Sequence, residues 1–243
     1  TYPKTCSSLS LFWASPAPLV YGQVLPLSYL NAQISPIGVF GTMSYTYKDP
    51  ASGTDVLLRA GQPFDAGTYQ LKAVFIPEDK ELAALTATVS LVVQKKTLNI
   101  TIPNVRKAYG APNPPITFSE IGFVYEDTFL SVFGNKTPET TAGTASGVGS
   151  YPITLTLPTV KNYTVPSQPS ATLFVDPVQV GCRAENKRML VKAAVPQFTY
   201  VCTPFVGSDT ANIFGSTAVL SAPSLDVTKA ADYTITFAQL PSH

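Results

Sequence analysis

Residue types that perform acid–base or nucleophilic chemistry are few and scattered in this chain of 243 residues. The one histidine is His243, at the end of the sequence, so no Ser–His–Asp or Cys–His set can be assembled around it. The acidic pairs at 78–79 and 126–127 lie in segments typical of solvated turns. No group of side chains has the spacing of a zinc or calcium site. The sequence therefore predicts a protein that is not an enzyme and that uses no metal or cofactor.

The three cysteines are Cys6, Cys182 and Cys202. Cys182 and Cys202 fall on two predicted strands that pair about a turn near Val191, so we expect them to form an intrachain disulfide. Cys6 is then left over, either as a free thiol or as one half of a bridge between copies. The alternative is a cytosolic chain with three reduced thiols.

Three asparagines occupy N-glycosylation acceptor sequences, namely Asn99, Asn135 and Asn162. Asn135 and Asn162 fall in predicted loops, whereas Asn99 lies on a predicted strand, opposite to its apolar neighbours. Outward placement is what glycan attachment requires. We therefore expect covalent glycans if the chain is secreted by a eukaryote.

The charge of the chain is nearly balanced, +1 overall with 13% charged residues. Phosphate recognition and electrostatic docking to anionic membranes require dense lysine and arginine, so we expect neither partner. Apolar runs are too short to cross a bilayer. The 22 prolines are compatible with short strands and turns but not with long helices, which favours an all-β fold. The sequence starts at Thr1, which suggests removal of a secretory signal and an extracellular location.

Alternating apolar and polar residues predict short strands along the whole chain. The segment 86–93 runs without a glycine or proline break through Lys95 and Lys96 into another strand at 98–102. A second passage of the same form spans 173–180. Because neither passage has the composition of a flexible linker, each predicts a short, stiff joint between domains. The segment 78–85 is compatible with either one helical turn or a polar loop.

The chain repeats itself at a spacing of 82 residues, which separates Tyr69, Tyr151 and Tyr233. The pair Asp127-Thr128 recurs as Asp209-Thr210, and we expect both aspartates to form Asx-turns that hold the following threonine. Repeats of about 80 residues composed of short strands predict β-sandwiches. We therefore divide the chain into an N-terminal extension (1–8), module 1 (9–96), module 2 (97–177) and module 3 (178–243).

Several stretches carry a resemblance to known families. The stretches 107–115, 121–128, 147–154 and 162–163 of module 2 resemble the YGX-type MBG module, an immunoglobulin-like repeat of extracellular surface proteins. Module 1, with Tyr21-Gly22 and the segment 66–69, is similar to the bacterial-type immunoglobulin-like repeat. Module 3 is a weaker match to the MBG module, since Val191-Lys192 stands where Tyr-Gly is expected. The resemblance implies stalks, spacers or adhesive repeats without catalytic residues.

Module 3 has no sequence that corresponds to the last strand of modules 1 and 2. The predicted fold is therefore all-β, with three tandem immunoglobulin-like β-sandwich domains of which the last lacks its final strand. The stretch 7–12 resembles the final strands at 87–92 and 171–174, so we hypothesise that it completes module 3 of a neighbouring copy. The donor residues would be Ser7, Leu9, Leu11 and Phe12. The acceptor edge would be Tyr233, Ile235 and Phe237, with Cys6 close enough to bridge Cys182 or Cys202.

Such donation is head to tail and predicts an extracellular filament whose partners are copies of the same chain. Three alternatives stay open: a closing strand lost or lying beyond this sequence, a naturally shorter module 3, or an N-terminal stretch that is simply the first strand of module 1. For function, the alternative is a stalk or adhesion module of a surface protein that binds glycans or other surfaces. A third possibility is the accessory module of an enzyme.

Overall fold

The computed structural model describes residues 9–214 and 216–240, in which regular structure is almost entirely β-strand. The all-β prediction is confirmed. Cys6 and Ser7, named above, lie outside the described residues. The residues at 78–84 form bends and turns, so the polar loop is correct there and the helical turn is not. A short α-helix that the sequence did not reveal, α1, spans Phe129–Phe133.

The first seven strands lie in module 1. They are β1 (Ser10–Phe12), β2 (Leu19–Val20), β3 (Gln33–Ser35), β4 (Gly41–Lys48), β5 (Asp55–Leu57), β6 (Gly67–Pro77) and β7 (Leu85–Gln94). β1 pairs antiparallel with β3, and a five-stranded sheet has the order β2-β7-β6-β4-β5. Alternate residues of β6 and β7 point into the core, where Leu71 and Leu91 are fully buried.

Module 2 contains eight strands among the described residues. They are β8 (Lys96–Thr97), β9 (Asn99–Thr101), β10 (Val105–Ala108), β11 (Ser119–Ile121), β12 (Glu139–Thr140), β13 (Gly149–Thr154), β14 (Tyr163–Thr164) and β15 (Ser170–Asp176). A four-stranded sheet has the order β10-β15-β13-β12, while β9 pairs with β11 and β14 pairs with β8. The helix α1 begins with a capping box in which the Thr128 and Ser131 side chains each bond the other residue's backbone N–H.

Module 3 contains β16 (Gly181–Ala184), β17 (Tyr200–Thr203), β18 (Val219–Ser221) and β19 (Thr236–Gln239) among the described residues. β16 pairs with β17 and β18 pairs with β19, both antiparallel. The register of β16 and β17 repeats that of β9 and β11: Cys182 lies opposite Cys202, as Ile100 lies opposite Glu120.

By contacts, the chain divides into two compact units whose boundary passes through module 2. The first unit comprises the described residues up to Ile102 together with Thr117–Glu139 and Thr154–Ser170. The second comprises Pro103–Ile116, Thr140–Ile153 and the described residues from Ala171 onward. The pair β9–β11 therefore belongs to the first unit, while β10 and most of β13 and β15 belong to the second.

The three tyrosines at the 82-residue spacing make the same contact. The hydroxyls of Tyr69 and Tyr151 each donate a hydrogen bond to the carbonyl oxygen four residues earlier, at 3.0 Å and 2.9 Å. The Tyr233 hydroxyl reaches the corresponding carbonyl of Lys229 at 3.4 Å and that of Asp226 at 2.9 Å. This contact is the tyrosine corner of immunoglobulin-like sandwiches, and it occurs once in each module.

Candidate functional site

The strand order of modules 1 and 2 shows which strand module 3 lacks. In module 1, β7 lies between β2, to which it is parallel, and β6, to which it is antiparallel. In module 2, β15 occupies the same place between β10 and β13. The residues of module 3 that correspond to β10 are 187–190, and those that correspond to β13 begin near Tyr233. Among the described residues, no strand pairs with both of these segments in the way that β15 pairs with both β10 and β13.

A groove of about 930 Å³ lies where that strand would be. One side of the groove is formed by residues 184–191 and the other by residues 222, 225–227 and 229–235, with Pro196 and Phe198 also lining it. Residues 187–190 of the first wall and 231–235 of the second correspond to the strands that hold β15 in module 2. An extended segment in this groove would lie parallel to one wall and antiparallel to the other.

The inward-facing residues of module 3 lack the cover that their counterparts have. Leu71 and Ile153 are fully buried, whereas Ile235, the corresponding residue, is half-buried. Phe237 is also half-buried, although the ring of Tyr200 lies 5.8 Å from its ring. Burial of such side chains is worth about 1.5–3 kcal/mol each, so the open groove forgoes part of the free energy that a complete sandwich gains.

The acceptor edge is less regular than the sequence indicates. Burial alternates as expected, with Tyr233, Ile235 and Phe237 half-buried and the residues between them exposed. However, β19 begins at Thr236, so only Phe237 of the three lies in a strand. β19 pairs with β18 over Thr236–Gln239, and in the described part of the chain the residues before it have no ladder partner that would hold them as a strand.

The donor residues require a correction. Leu11 and Phe12 lie in β1, which pairs with β3 of the same module, and Leu11 packs against the core of module 1. Because these residues already form the first strand of their own module, they are not available to complete another copy. Leu9 precedes β1 and lies in no strand, and Ser7 lies outside the described residues. A donor segment can therefore include only residues up to Leu9.

The sulfur atoms of Cys182 and Cys202 are bonded to each other across the β16–β17 pair. This bond joins two residues that are 20 positions apart in the sequence. Since both sulfurs are used, neither is available to bridge Cys6, and that part of the sequence-based hypothesis is not compatible with the structure.

The three glycan acceptor candidates have different environments. Asn99 and Asn135 are exposed. Asn162 is half-buried, its Nδ2 donates to Asp65 Oδ1 at 2.9 Å, and its Oδ1 accepts from the Ala66 N–H at 2.9 Å. A glycan is attached to Nδ2, so a glycan on Asn162 would have to displace these contacts, and we no longer expect one there.

The junction between modules 1 and 2 centres on Asp127, whose role differs from the predicted Asx-turn. Its Oδ2 accepts hydrogen bonds from the hydroxyls of Tyr21, at 2.9 Å, and Tyr163, at 2.7 Å. The rings of the two tyrosines meet edge to face, with centroids 5.2 Å apart. Burial, followed by the bond to Asp127, raises the pKa of Tyr21 to about 12, and the same causes raise the pKa of Tyr163.

A second cluster joins the same two modules. Lys161 Nζ lies 2.7 Å from Asp65 Oδ2, and the bonds from Lys161 and Asn162 hold the pKa of Asp65 below its usual value. The folded-state pKa of Asp65 is thus depressed, so its stabilising contribution is present above the ordinary aspartate pKa and is lost as the pH falls below it. Lys95 Nζ donates to the carbonyl of Val160, also across this joint.

The Tyr-Gly pair is used at both joints. Gly22 adopts φ +98°, and a Cβ at this position would lie 2.9 Å from the Val124 side chain of module 2. Gly110 adopts φ +77°, and a Cβ there would collide with Val206 of module 3. Val124 and Val206 occupy equivalent positions, 82 residues apart. Glycine is therefore required at each of these positions for two reasons. It adopts the left-handed backbone conformation without strain, and its lack of a side chain allows the next module to approach closely.

A phenol also lies near a carboxylate at each joint. The interaction with Asp209 raises the pKa of Tyr109, as the interaction with Asp127 contributes to the raised pKa of Tyr21. In module 3, Val191 and Lys192 occupy the Tyr-Gly positions. Lys192 keeps the left-handed conformation, with φ 62°, but Val191 has no hydroxyl to donate. We call the Tyr-Gly positions of each module its corner. The corner of module 3 therefore lacks the phenol hydroxyl that faces a carboxylate at the two internal joints.

A cleft of about 430 Å³ opens in the first unit. Its lining includes the rings of Tyr47 and Tyr125 and the charged groups of Asp49, Asp65 and Lys161. Tyr125 is exposed and has φ 56°, an unusual conformation for a residue other than glycine.

Among residues 9–214 and 216–240, no three His, Cys, Asp or Glu side chains are grouped so that they could hold a metal ion. No helix in the described part of the chain is long and apolar enough to cross a lipid bilayer.

No curated protein matches this chain. A solved structure of fibronectin(III)-like modules from Clostridium thermocellum CbhA is similar over 70% of this chain and 95% of that chain, with 10% sequence identity and a TM-score of 0.22. The resemblance stated for module 2 is confirmed, while those stated for modules 1 and 3 stay predictions. Residues 98–173, all within module 2, match the family described as the MBG domain (YGX type).

Proposed function

We propose that the chain is an extracellular structural subunit that polymerises head to tail, with the N-terminal segment of one copy filling the groove of module 3 in the next. The extracellular and structural character of this function rests on the MBG match, because such modules are typical of extracellular proteins and typically have no catalytic role. Assembly by strand donation is our proposal.

The observation that carries the proposal is the groove, whose two walls correspond to the strands that enclose β7 and β15 in the other modules. A donated strand would satisfy backbone groups on both walls and cover the half-buried Tyr233 and Ile235, which line the groove. An uncovered edge of this kind promotes association, so a stable extracellular protein needs an occupant for it.

The internal joints support the choice of occupant. β7 ends at Gln94 and the chain passes through β8 into β9, so the last strand of one module leads directly into the first strand of the next. The N-terminal segment leads into β1 of module 1 in the same way. If it filled the groove of another copy, the joint between copies would have the same connectivity as the joints within the chain.

Deletion of residues 1–8 tests the proposal. The full chain is expected to form filaments with one subunit per axial repeat in electron micrographs, and the deleted chain is expected to sediment as a monomer. A chain with residues 1–8 in scrambled order serves as the matched control for length and composition. If the deleted chain still forms the same filaments, donation by this segment is wrong, and a closing strand from elsewhere in a longer protein becomes the better explanation of the groove.

A second candidate function is saccharide binding in an adhesion or stalk protein, and the cleft of the first unit favours it. Aromatic rings at Tyr47 and Tyr125, next to carboxylates and the Lys161 ammonium group, provide the stacking surfaces and hydrogen-bonding groups that sugars use. Titration with saccharide libraries would detect binding. Tyr125→Ala should abolish it, whereas Tyr29→Phe, outside the cleft, should not.

A further inference from the structure

We propose that the loop between β3 and β4 of module 1, residues 36–40, packs against the corner of module 3 formed by Leu190 and Val191 in a neighbouring copy. The inference rests on the proposed function, because it describes a contact at the joint between copies. It adds a second contacting segment of the neighbouring copy, at the Leu190–Val191 end of the groove wall, and names the residues on each side.

The first step is the equivalence of three loops. Each follows a strand that pairs antiparallel with an earlier strand of its module: residues 36–40 follow β3, residues 122–128 follow β11, and residues 204–210 follow β17. The pairings β1–β3, β9–β11 and β16–β17 are all antiparallel and place these loops at the same end of each module.

The second step is what two of these loops do. The loop after β11 places Val124 against Gly22, and the loop after β17 places Val206 against Gly110. In both cases the loop of one module contacts the Tyr-Gly corner of the preceding module. The loop of module 1 has no preceding module within this sequence, and the corner of module 3 has no following one.

The third step is the chemistry of these two unoccupied surfaces. Ile37 is 95% exposed and Phe40 is 77% exposed in the loop of module 1. Leu190 is 82% exposed and Val191 is 47% exposed at the corner of module 3, whereas Tyr21, at the occupied corner of module 1, is only 8% exposed. The internal joints combine a phenol with a carboxylate. The two outer surfaces are apolar apart from the exposed Lys192 at the glycine position of module 3, so they match each other better than they match an internal partner.

This difference also provides specificity. Val191 cannot donate to an aspartate such as Asp127 or Asp209, so docking an internal-type loop on module 3 would leave its carboxylate without the phenol that the preceding module supplies at the internal joints. The loop of module 1 has no acidic residue at 36–40, so docking it on the corner of module 3 leaves no carboxylate without a hydrogen-bond donor. Modules within the chain and copies along the filament would therefore use two joints that do not interchange.

The test uses the full chain with the two exposed loop residues changed, Ile37→Ser with Phe40→Ser. Because both side chains are exposed, the thermal unfolding of the subunit should be unchanged, and the concentration needed for filament assembly should rise at least tenfold. The matched control is Ile76→Ser with Ile121→Ser, two apolar residues that are exposed elsewhere on the described surface. This control should assemble as the unmodified chain does.

A charge pair provides the direct test of contact. Ile37→Asp and Val191→Lys should each weaken assembly, and the chain that carries both should recover most of the loss. If Ile37→Ser with Phe40→Ser assembles normally while deletion of residues 1–8 prevents assembly, the loop contact is wrong and strand donation stands. If the chain that lacks residues 1–8 assembles but Ile37→Ser with Phe40→Ser does not, strand donation is wrong and the loop contact stands. A full chain that never associates overturns both.

Discussion

At the scale of single residues, Asp127 determines the junction of modules 1 and 2, because one carboxylate oxygen accepts from two tyrosines. The carboxylate gains two charge-assisted hydrogen bonds, and each phenol is satisfied although its ring is buried. Removal of one phenol hydroxyl leaves the other in place, so its contribution can be measured separately.

Replacement of Tyr21 by phenylalanine should lower the free energy of unfolding by about 1.5 kcal/mol, the lower end of the range for hydrogen bonds to charged groups. Chemical denaturation of the two chains measures this difference. Tyr29→Phe is the matched control, because the Tyr29 hydroxyl has no hydrogen-bond partner among the described residues and its loss should change stability little. Equal effects of the two substitutions would show that the bond to Asp127 contributes nothing.

The raised pKa of Tyr21 predicts a loss of stability in alkali. The folded state holds the phenol proton up to about pH 12, whereas the unfolded chain releases it near pH 10. The folded state therefore binds more protons in this interval, and the free energy of unfolding should fall as the pH rises through it. Denaturation curves between pH 9 and pH 12 should show a shallower decline in Tyr21→Phe than in the unmodified chain. Parallel declines would contradict the assignment.

The sequence could not reveal the role of Asp127. Its bonding partners lie 106 and 36 residues away along the chain, and nothing local distinguishes an aspartate in a turn from one that accepts two distant phenols. The recurrence of Asp127 as Asp209 was visible, and it correctly marked both positions as equivalent. The spacing showed that they share a role, but the contact that defines the role depends on how the modules meet.

At the scale of elements, the two glycines of the Tyr-Gly corners should be far less replaceable than other glycines of the same conformation. Gly110→Ala combines a strained φ with a collision against Val206, whereas Gly53, with φ +70°, has no atom within 4 Å of an added Cβ. Gly53→Ala should therefore cost about 1–2 kcal/mol for conformation alone, and Gly110→Ala should cost a further ~1–3 kcal/mol.

A double-mutant cycle separates the collision from the strain. Val206→Ala removes the atoms that the new Cβ would meet, so adding it to Gly110→Ala should recover most of the difference between the two glycine substitutions. Urea denaturation of the four chains gives the coupling energy. Additive effects would show that module 3 does not depend on close approach at Gly110.

Most strands of modules 1 and 2 could be predicted from the sequence. The alternation of apolar and polar residues and the 82-residue repeat both indicate strands that have a paired neighbour on each side. The same pattern misplaced the start of the strand near Tyr233. Alternating residues form a strand only when a neighbour supplies ladder hydrogen bonds, and no described residue supplies them to the residues just before Thr236. The error and the groove therefore have one cause, the missing neighbour strand.

At the scale of the whole molecule, the proposal requires that a separate segment can stabilise module 3. A synthetic peptide of residues 1–9 should raise the thermal unfolding midpoint of a chain that lacks residues 1–8. By linkage, a peptide at one hundred times its Kd adds about 2.7 kcal/mol to the state that binds it. Calorimetry over a range of peptide concentrations would detect the shift, and a scrambled peptide of the same composition should produce none.

The location of the effect can be controlled within the same chain. Substitution of Ile235 by asparagine should weaken the peptide's effect, since this side chain lines the groove and is half-buried. Ile76→Asn, on the exposed face of β6, should leave it unchanged. A shift that persists in Ile235→Asn would place the peptide elsewhere and contradict the groove as its site. Loss of the shift in that variant alone would connect the half-buried residues of module 3 to assembly of the filament.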